Sequence, residues 1–195
     1  MAKKRKAAAQ ARQRIFRSAA ELFYRKGIQA SGVESIVADA NSTKMSLYRN
    51  FSSKDVLVAE WLRAHDARFW ETWEAMIEDN RGEPRKQLRA AFELLAEHVS
   101  HPGARGCPMA NAAVEITRRS HPARKVIEAH KAKLRSRLAD LCTQVQAHDP
   151  GLLADQLFLL MEGAQVSTIL GVRGPAKNVA RAADAVIASA MARAS

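Results

Sequence analysis

The breaks in this chain constrain it more than anything between them. Gly27, Asn41, Arg81-Gly82-Glu83-Pro84, His101-Pro102-Gly103, Ser120-His121-Pro122, Asp149-Pro150-Gly151 and Gly171-Val172-Arg173-Gly174-Pro175 divide it into segments rich in Ala, Leu, Glu, Arg and Lys. Those residues favour helix, and no strand-period alternation runs long enough to make a sheet. The chain is therefore expected to be all-α, with about nine helices. The first covers 8–26, with Ile15, Ala19, Leu22 and Phe23 on one face and Gly27 as its stop. Ser31 is placed to cap a short second helix carrying Val33, Ile36 and Val37. A third helix of about two turns follows Asn41. A long amphipathic helix then starts at Ser53 and runs through Val56, Leu57 and Trp61 toward Ile77. Further helices are expected over 85–100, 108–119, 122–147, 150–171 and 176–193, with Ser120 and Asp149 at N-cap positions. Of the 195 residues, 47% are hydrophobic, which is enough for one sizeable core or two small cooperating domains.

Charge divides the chain unevenly. Residues 1–54 hold twelve lysines and arginines against Glu21, Glu34 and Asp39, a net +9 out of the total of +11. The other 141 residues are almost balanced, at +2. A basic N-terminal quarter calls for a polyanionic partner, either nucleic acid or an anionic membrane. The membrane is the poorer choice, because the first helix lacks a wide apolar face with Trp. Lys3, Lys4, Arg5 and Lys6 are expected to form a disordered arm that adds electrostatic affinity for DNA, with a merely solvated tail as the alternative.

Two short helices joined by a three- or four-residue turn suggest a helix-turn-helix, whose second helix enters the major groove. Asn41 suits that turn, since Asn tolerates left-handed backbone angles best after glycine. On a helical wheel, Leu47 and Phe51 point together toward a core, Met45, Ser46 and Arg49 point away, and Tyr48 lies on the flank. Arg49 can bond guanine and Ser46 several bases, while Tyr48 and Lys54 suit phosphates. The residues alone leave open a plainer reading, with Tyr48 half-buried in a core and Arg49 a solvated charge.

Residues 12–62 resemble the DNA-binding domain of the tetracycline-repressor (TetR) family of bacterial transcriptional regulators. The resemblance rests on Arg14-Ile15, Ala19-Ala20-Glu21-Leu22-Phe23, Lys26-Gly27, Ala30-Ser31, Val33, Ile36 and Ala40. It continues through Ser46-Leu47-Tyr48-Arg49-Asn50-Phe51-Ser52-Ser53-Lys54-Asp55. A weaker likeness covers Arg105-Gly106-Cys107-Pro108-Met109-Ala110-Asn111-Ala112-Ala113-Val114-Glu115. The resemblance implies a homodimer on double-stranded operator DNA, with residues 1–54 as basic arm and helix-turn-helix and 55–195 as the effector-binding and dimerisation domain. It implies that Tyr48 and Lys54 contact phosphates and that Ser31 caps the second helix. Thr43, Lys44, Met45, Ser46, Arg49 and Asn50 would sit at the DNA, with Glu34 contributing. Two residues depart from the family pattern. Asn41 stands where Gly is usual, and Met45 where many members have Gly or Pro.

Beyond residue 54, Leu157-Phe158-Leu159-Leu160-Met161 is apolar on all sides and requires cover nearly all round. The last helix carries Val179, Ala182, Ala183, Val186, Ile187, Ala190 and Met191 at helical spacing. These two helices are expected to form the homodimer face, with an ordinary intramolecular core as the alternative. The resemblance also implies a small-molecule effector. Candidate lining residues are Trp61, His65, Phe69, Phe92, Cys107, Met109, Asn111, Glu115, Phe158, Met161, Glu162 and Gln165, most of which will be core. Acidic candidates without an arginine cluster favour a cationic or neutral, largely apolar molecule. Repression, relieved by effector binding, is the expected mode. A regulator that senses redox state or electrophiles through Cys107 is the alternative.

Other classes find little support. Nothing approaches eighteen consecutive apolar residues, and the charged N-terminus does not run into a secretory apolar core. Cys107 and Cys142 lack metal-ligand spacing and fit a cytoplasmic chain with free thiols. The six histidines form no HExxH motif, and there is no nucleophile elbow or glycine-rich phosphate loop. Neither catalysis, a metal nor a cofactor is expected.

Overall fold

The computed structural model describes residues 2–192, with side chains from 8 to 191. Within them the chain is helical, as its breaks predict: α1 Ala2–Lys26, α2 Val33–Asp39, α3 Lys44–Asn50, α4 Lys54–Asp79, α5 Pro84–Ser100, α6 Pro108–Glu115, α7 Pro122–Gln144, α8 Pro150–Ile169 and α9 Arg173–Ala192. The first helix starts six residues earlier than expected. Lys3 to Lys6 therefore belong to α1 rather than to a disordered arm, and their side chains lie outside the described residues. The sixth helix ends at Glu115 instead of running to 119. Asp149 caps α8 as expected, its carboxylate accepting from the Leu152 N–H at 2.9 Å. At α7 the capping acceptor is His121 Nδ1, which takes the Ala123 N–H at 3.1 Å, and not Ser120.

The residues form two compact units, neither of them a single run of sequence. One comprises Met1–Ala67 with Pro108–Glu128, the other Arg68–Cys107 with Ala129–Ser195. Both α4 and α7 contribute to each unit.

In the first unit, Ile15, Ala19 and Phe23 of α1, Ile36 of α2, Leu47 of α3 and Leu57, Trp61 and Leu62 of α4 are buried together with Met109 and Ala112 of α6. Phe23 and Trp61 set their rings 5.5 Å apart. Full burial of side chains this large stabilises by roughly 1.5–3 kcal/mol each, enough to hold helices of two turns that could not stand alone. The unit reaches past residue 54 because α4 and α6 supply part of this core.

In the second unit, a continuous core joins Trp70, Trp73 and Met76 of α4, Leu88 and Phe92 of α5, and Leu134 and Leu138 of α7. Leu153, Leu157 and Met161 of α8 and Val179, Ala183 and Ile187 of α9 complete it. The inward face of α9 is thus spent within its own unit. Helix α8 is not covered all round. Leu152, Leu159 and Val166, seven residues apart, are exposed, and Ile169 and Leu170 continue the stripe.

Gly106 marks the tightest approach in this unit. Its φ is +63°, and a Cβ there would stand 2.5 Å from the Gln165 carbonyl oxygen. Backbone meets backbone, so no side chain can swing aside. Gly106→Ala is expected to destabilise the fold by about 2 kcal/mol or more, lowering Tm by roughly 4–8 °C in a calorimetric scan.

Candidate nucleic-acid interface

The α2–α3 turn depends on Asn41, whose φ of +43° lies in the left-handed region. Its N–H donates to the Ala38 carbonyl at 3.1 Å, and the Ser42 N–H donates to the Val37 carbonyl at 2.8 Å. This pair of bonds closes a Schellman C-terminus on α2. Asn41 thus does what glycine usually does at such a position. Thr43 then caps α3, its Oγ1 accepting from the Ser46 N–H at 3.1 Å. Under the helix, Leu47 and Phe51 are buried. The Arg12 guanidinium lies 4.7 Å from the centre of the Phe51 ring and also pairs with Glu60. From α1, the Ser18 hydroxyl donates to Asp39 at 2.6 Å and Arg14 Nε donates to the Ala40 carbonyl at 3.4 Å.

The other face of α3 is open. Met45 is 71% exposed and Tyr48 52%, and Arg49 and Lys44 are exposed with them. The structure therefore brings Lys44, Met45, Tyr48 and Arg49 to one outward face and excludes the core-tyrosine alternative. Ser46 and Asn50 are half-buried, and the Asn50 amide donates back to the Ser46 carbonyl at 2.8 Å. Glu34, exposed on α2, forms an ion pair with Lys44. The hydrogen bond from Lys44 holds the Glu34 carboxyl below its ordinary pKa, helped by the Glu34 backbone N–H. The same bond from the other side raises Lys44 above its own. Both groups are charged at neutral pH.

Two expected contacts serve other ends. Ser31 does not cap α2, whose N-cap is Gly32 with no side-chain bond. The Ser31 hydroxyl is buried and donates to the Gly27 carbonyl at 2.6 Å, closing the α1–α2 turn. Lys54 donates to the Ile28 carbonyl at 2.6 Å, tying the start of α4 to that same turn. Partial burial lowers the Lys54 pKa, against the pull of Glu115 and Asp55.

The effector candidates divide between the two units. In the first, Trp61 and Met109 are core, and His65 and Asn111 are half-buried. Glu115 faces the helix-turn-helix. Its carboxylate accepts from the Gln29 N–H at 2.8 Å and lies against Gly27, where a Cβ would stand 3.0 Å from it and the φ of +91° favours glycine. Alongside it, Arg118 pairs with Asp55, and His121 Nε2 donates to Asp55 at 3.3 Å. The Ala123 N–H on Nδ1 fixes that tautomer. Neither Arg118 nor His121 was distinguishable by sequence from any solvated polar residue.

In the second unit, Phe92, Cys107 and Met161 are buried, and Phe158, Glu162 and Gln165 are half-buried. Cys107 and Glu162 both meet Lys131 of α7. Its ammonium pairs with Glu162, lies 3.5 Å from Cys107 Sγ and stands 5.8 Å from the centre of the Phe158 ring. Glu162 is therefore already neutralised, by a lysine 31 residues away that no local pattern marks. Phe69 joins a separate aromatic group, 5.0 Å from Trp70, 6.1 Å from Trp73 and 4.9 Å from His130. Cys107 is a covered sulfur next to an engaged ammonium, which fits a small core residue better than a sensor. Burial pushes the Cys142 thiol up to about 11.

Among the described residues no three His, Cys, Asp or Glu side chains are grouped to hold a metal ion, and no helix is long and apolar enough to cross a membrane.

Comparison with known proteins agrees with this geometry. Residues 15–61 match the family of bacterial regulatory proteins, tetR family, and residues 84–186 match the tetracyclin repressor-like C-terminal domain. A TetR-family transcriptional regulator from Streptomyces coelicolor is 26% identical, with a TM-score of 0.87 over 94% of this chain and 97% of that one. A TetR-type regulator from Streptomyces avermitilis is 28% identical, with a TM-score of 0.79 over 92% and 97%. Among curated proteins, the HTH-type transcriptional repressor DhaR of Mycobacterium sp. (strain GP1) is 26% identical over 106 residues. Those residues are 54% of this chain, and the match spans about half of that relative, 52% of its length. The chain belongs to the tetR family of bacterial regulatory proteins and is a DNA-binding transcriptional regulator with a helix-turn-helix.

Proposed function

We propose that the protein is a homodimeric repressor that grips an inverted-repeat operator with two copies of α3 and is released by a small-molecule effector. The observation that carries this reading is the two-sided build of α3. Leu47 and Phe51 are buried beneath it, and Tyr48, Arg49 and Met45 are exposed above, with Lys44 beside them in its ion pair with Glu34. Arg49 and Lys44 read base edges, Met45 offers an apolar contact to a thymine methyl, and Tyr48 grips phosphate. Lys54 keeps two N–H groups for phosphate beyond its bond to Ile28. Thr43, Ser46 and Asn50 contribute from the edge of the face, and Ser31 supports from below. The N-terminal lysines add sequence-independent attraction. The relative from Mycobacterium is named a repressor, which favours repression here.

The dimer is formed through α8 and α9. On α8 the contact is the exposed stripe of Leu152, Leu159 and Val166, with Gly163 between them allowing close approach. A stripe of this kind on a soluble helix marks an association surface. From α9, the half-buried Val186, Ala190 and Met191 contribute rather than the buried Val179, Ala183 and Ile187. Two-fold symmetry then matches the protein to a two-fold operator.

The effector is a neutral, largely apolar molecule, bound among the candidates of the second unit, Phe92, Cys107, Phe158, Met161, Glu162 and Gln165. A cationic one would have to displace Lys131 from Glu162. It acts by differential affinity for the operator-bound and free forms, transmitted along α4, a single helix from Lys54 to Asp79.

Two experiments test this reading. Tyr48→Ala with Arg49→Ala is expected to lower operator affinity about 100-fold or more in fluorescence anisotropy, with helicity unchanged by circular dichroism. Unaltered affinity would remove α3 from the DNA. Leu159→Glu puts a charge on the exposed stripe without touching the core. It is expected to yield monomers by sedimentation, and a dimer that persists would place the interface elsewhere.

A further inference from the structure

Two exposed side chains on different helices meet beside the open face of α3, the Lys44 ammonium and the Glu34 carboxylate. Their side chains are 56% and 71% exposed, and a pair so open to water contributes little to stability. Stability therefore does not account for it. The other acids of the basic segment are engaged elsewhere, Asp39 by Ser18 at 2.6 Å and Glu21 by Arg25 at 3.2 Å. Glu34 is then the carboxylate that stands next to the outward residues of α3. In a segment built to attract a polyanion, its charge opposes binding to phosphate.

What the pair offers is a hydrogen-bond acceptor locked beside a donor. The major-groove edge of a G·C pair presents the complement: guanine N7 and O6 accept, and the cytosine N4 amino group next to them donates. On an A·T pair the amino group lies between two acceptors, and the thymine methyl occupies the outer edge, so a joined carboxylate and ammonium fit less well. We propose that Glu34 and Lys44 together read one G·C base pair in each operator half-site, Glu34 accepting from cytosine N4 and Lys44 donating to guanine O6 or N7. The ion pair also withholds Lys44 from phosphates, so tolerance of arbitrary DNA falls as discrimination rises. This inference rests on the DNA-binding reading above.

The test uses the full-length protein on random-sequence duplex DNA. Duplexes enriched by the wild-type protein are compared with those enriched by Glu34→Gln and by Lys44→Ala. Each G·C pair of the wild-type consensus is then replaced by A·T in turn and affinity is measured. One symmetric G·C pair is expected to matter by on the order of tenfold for the wild type. Glu34→Gln and Lys44→Ala should both lose that preference while keeping the others. Glu34→Gln should also bind random duplex more tightly, with a log–log salt slope steeper by about 0.9, because Lys44 is released to phosphate. A Glu34→Gln consensus equal to the wild type, or two substitutions that relax different base pairs, would overturn the proposal alone. A wild-type protein that enriches no sequence would overturn the DNA-binding reading, and this proposal with it.

Discussion

Everything the α3 face can do depends on the burial of Leu47 and Phe51 beneath it. A helix of seven residues lies well below the length at which helices persist by themselves in water. It exists because two large apolar side chains are buried beneath it where it packs on α1 and α2, and because each end is closed chemically. Thr43 satisfies an orphan N–H at the start, and the Phe51 N–H returns to the Leu47 carbonyl at the finish. With those fixed, side chains on the opposite face have defined directions before any partner arrives. Recognition then costs little ordering of the backbone, which is how a short helix can discriminate among sequences.

The same economy shapes the second unit. A half-buried carboxylate and a half-buried ammonium are expensive separately and acceptable together, and Glu162 and Lys131 meet on that condition. Their meeting changes the electrostatic character of the region from acidic to compensated. Charge counted residue by residue along a chain is therefore a poor guide to the charge that a binding region presents.

Local features of the fold were legible and remote ones were not. Asn41 announced its turn because few residues accept a left-handed backbone, and the proline and glycine breaks placed the helices within a few residues. Leu47 and Phe51 were readable from their spacing. Ser31 was misread because a serine before a helix has two uses, capping forward or bonding back, and only the position of Gly27 decides between them. Glu115 was grouped with effector candidates because nothing in its neighbourhood reveals a partner 86 positions earlier. The apolar residues of α9 and those of α8 look alike in sequence. Which set turns inward is settled by how α5, α8 and α9 pack, a property of no single helix.

The discontinuity of the first unit has a practical reach. Glu115 grips the α1–α2 turn, and Arg118 and His121 grip the first turn of α4, so the helix-turn-helix is completed by residues that come after α5. A helix-turn-helix cut from this chain at residue 54 would carry α3 away without the struts that brace the α1–α2 turn and the start of α4. Anyone grafting its specificity onto another regulator must transplant two separated stretches of sequence. The natural cassette is defined by who holds whom, not by where the motif ends.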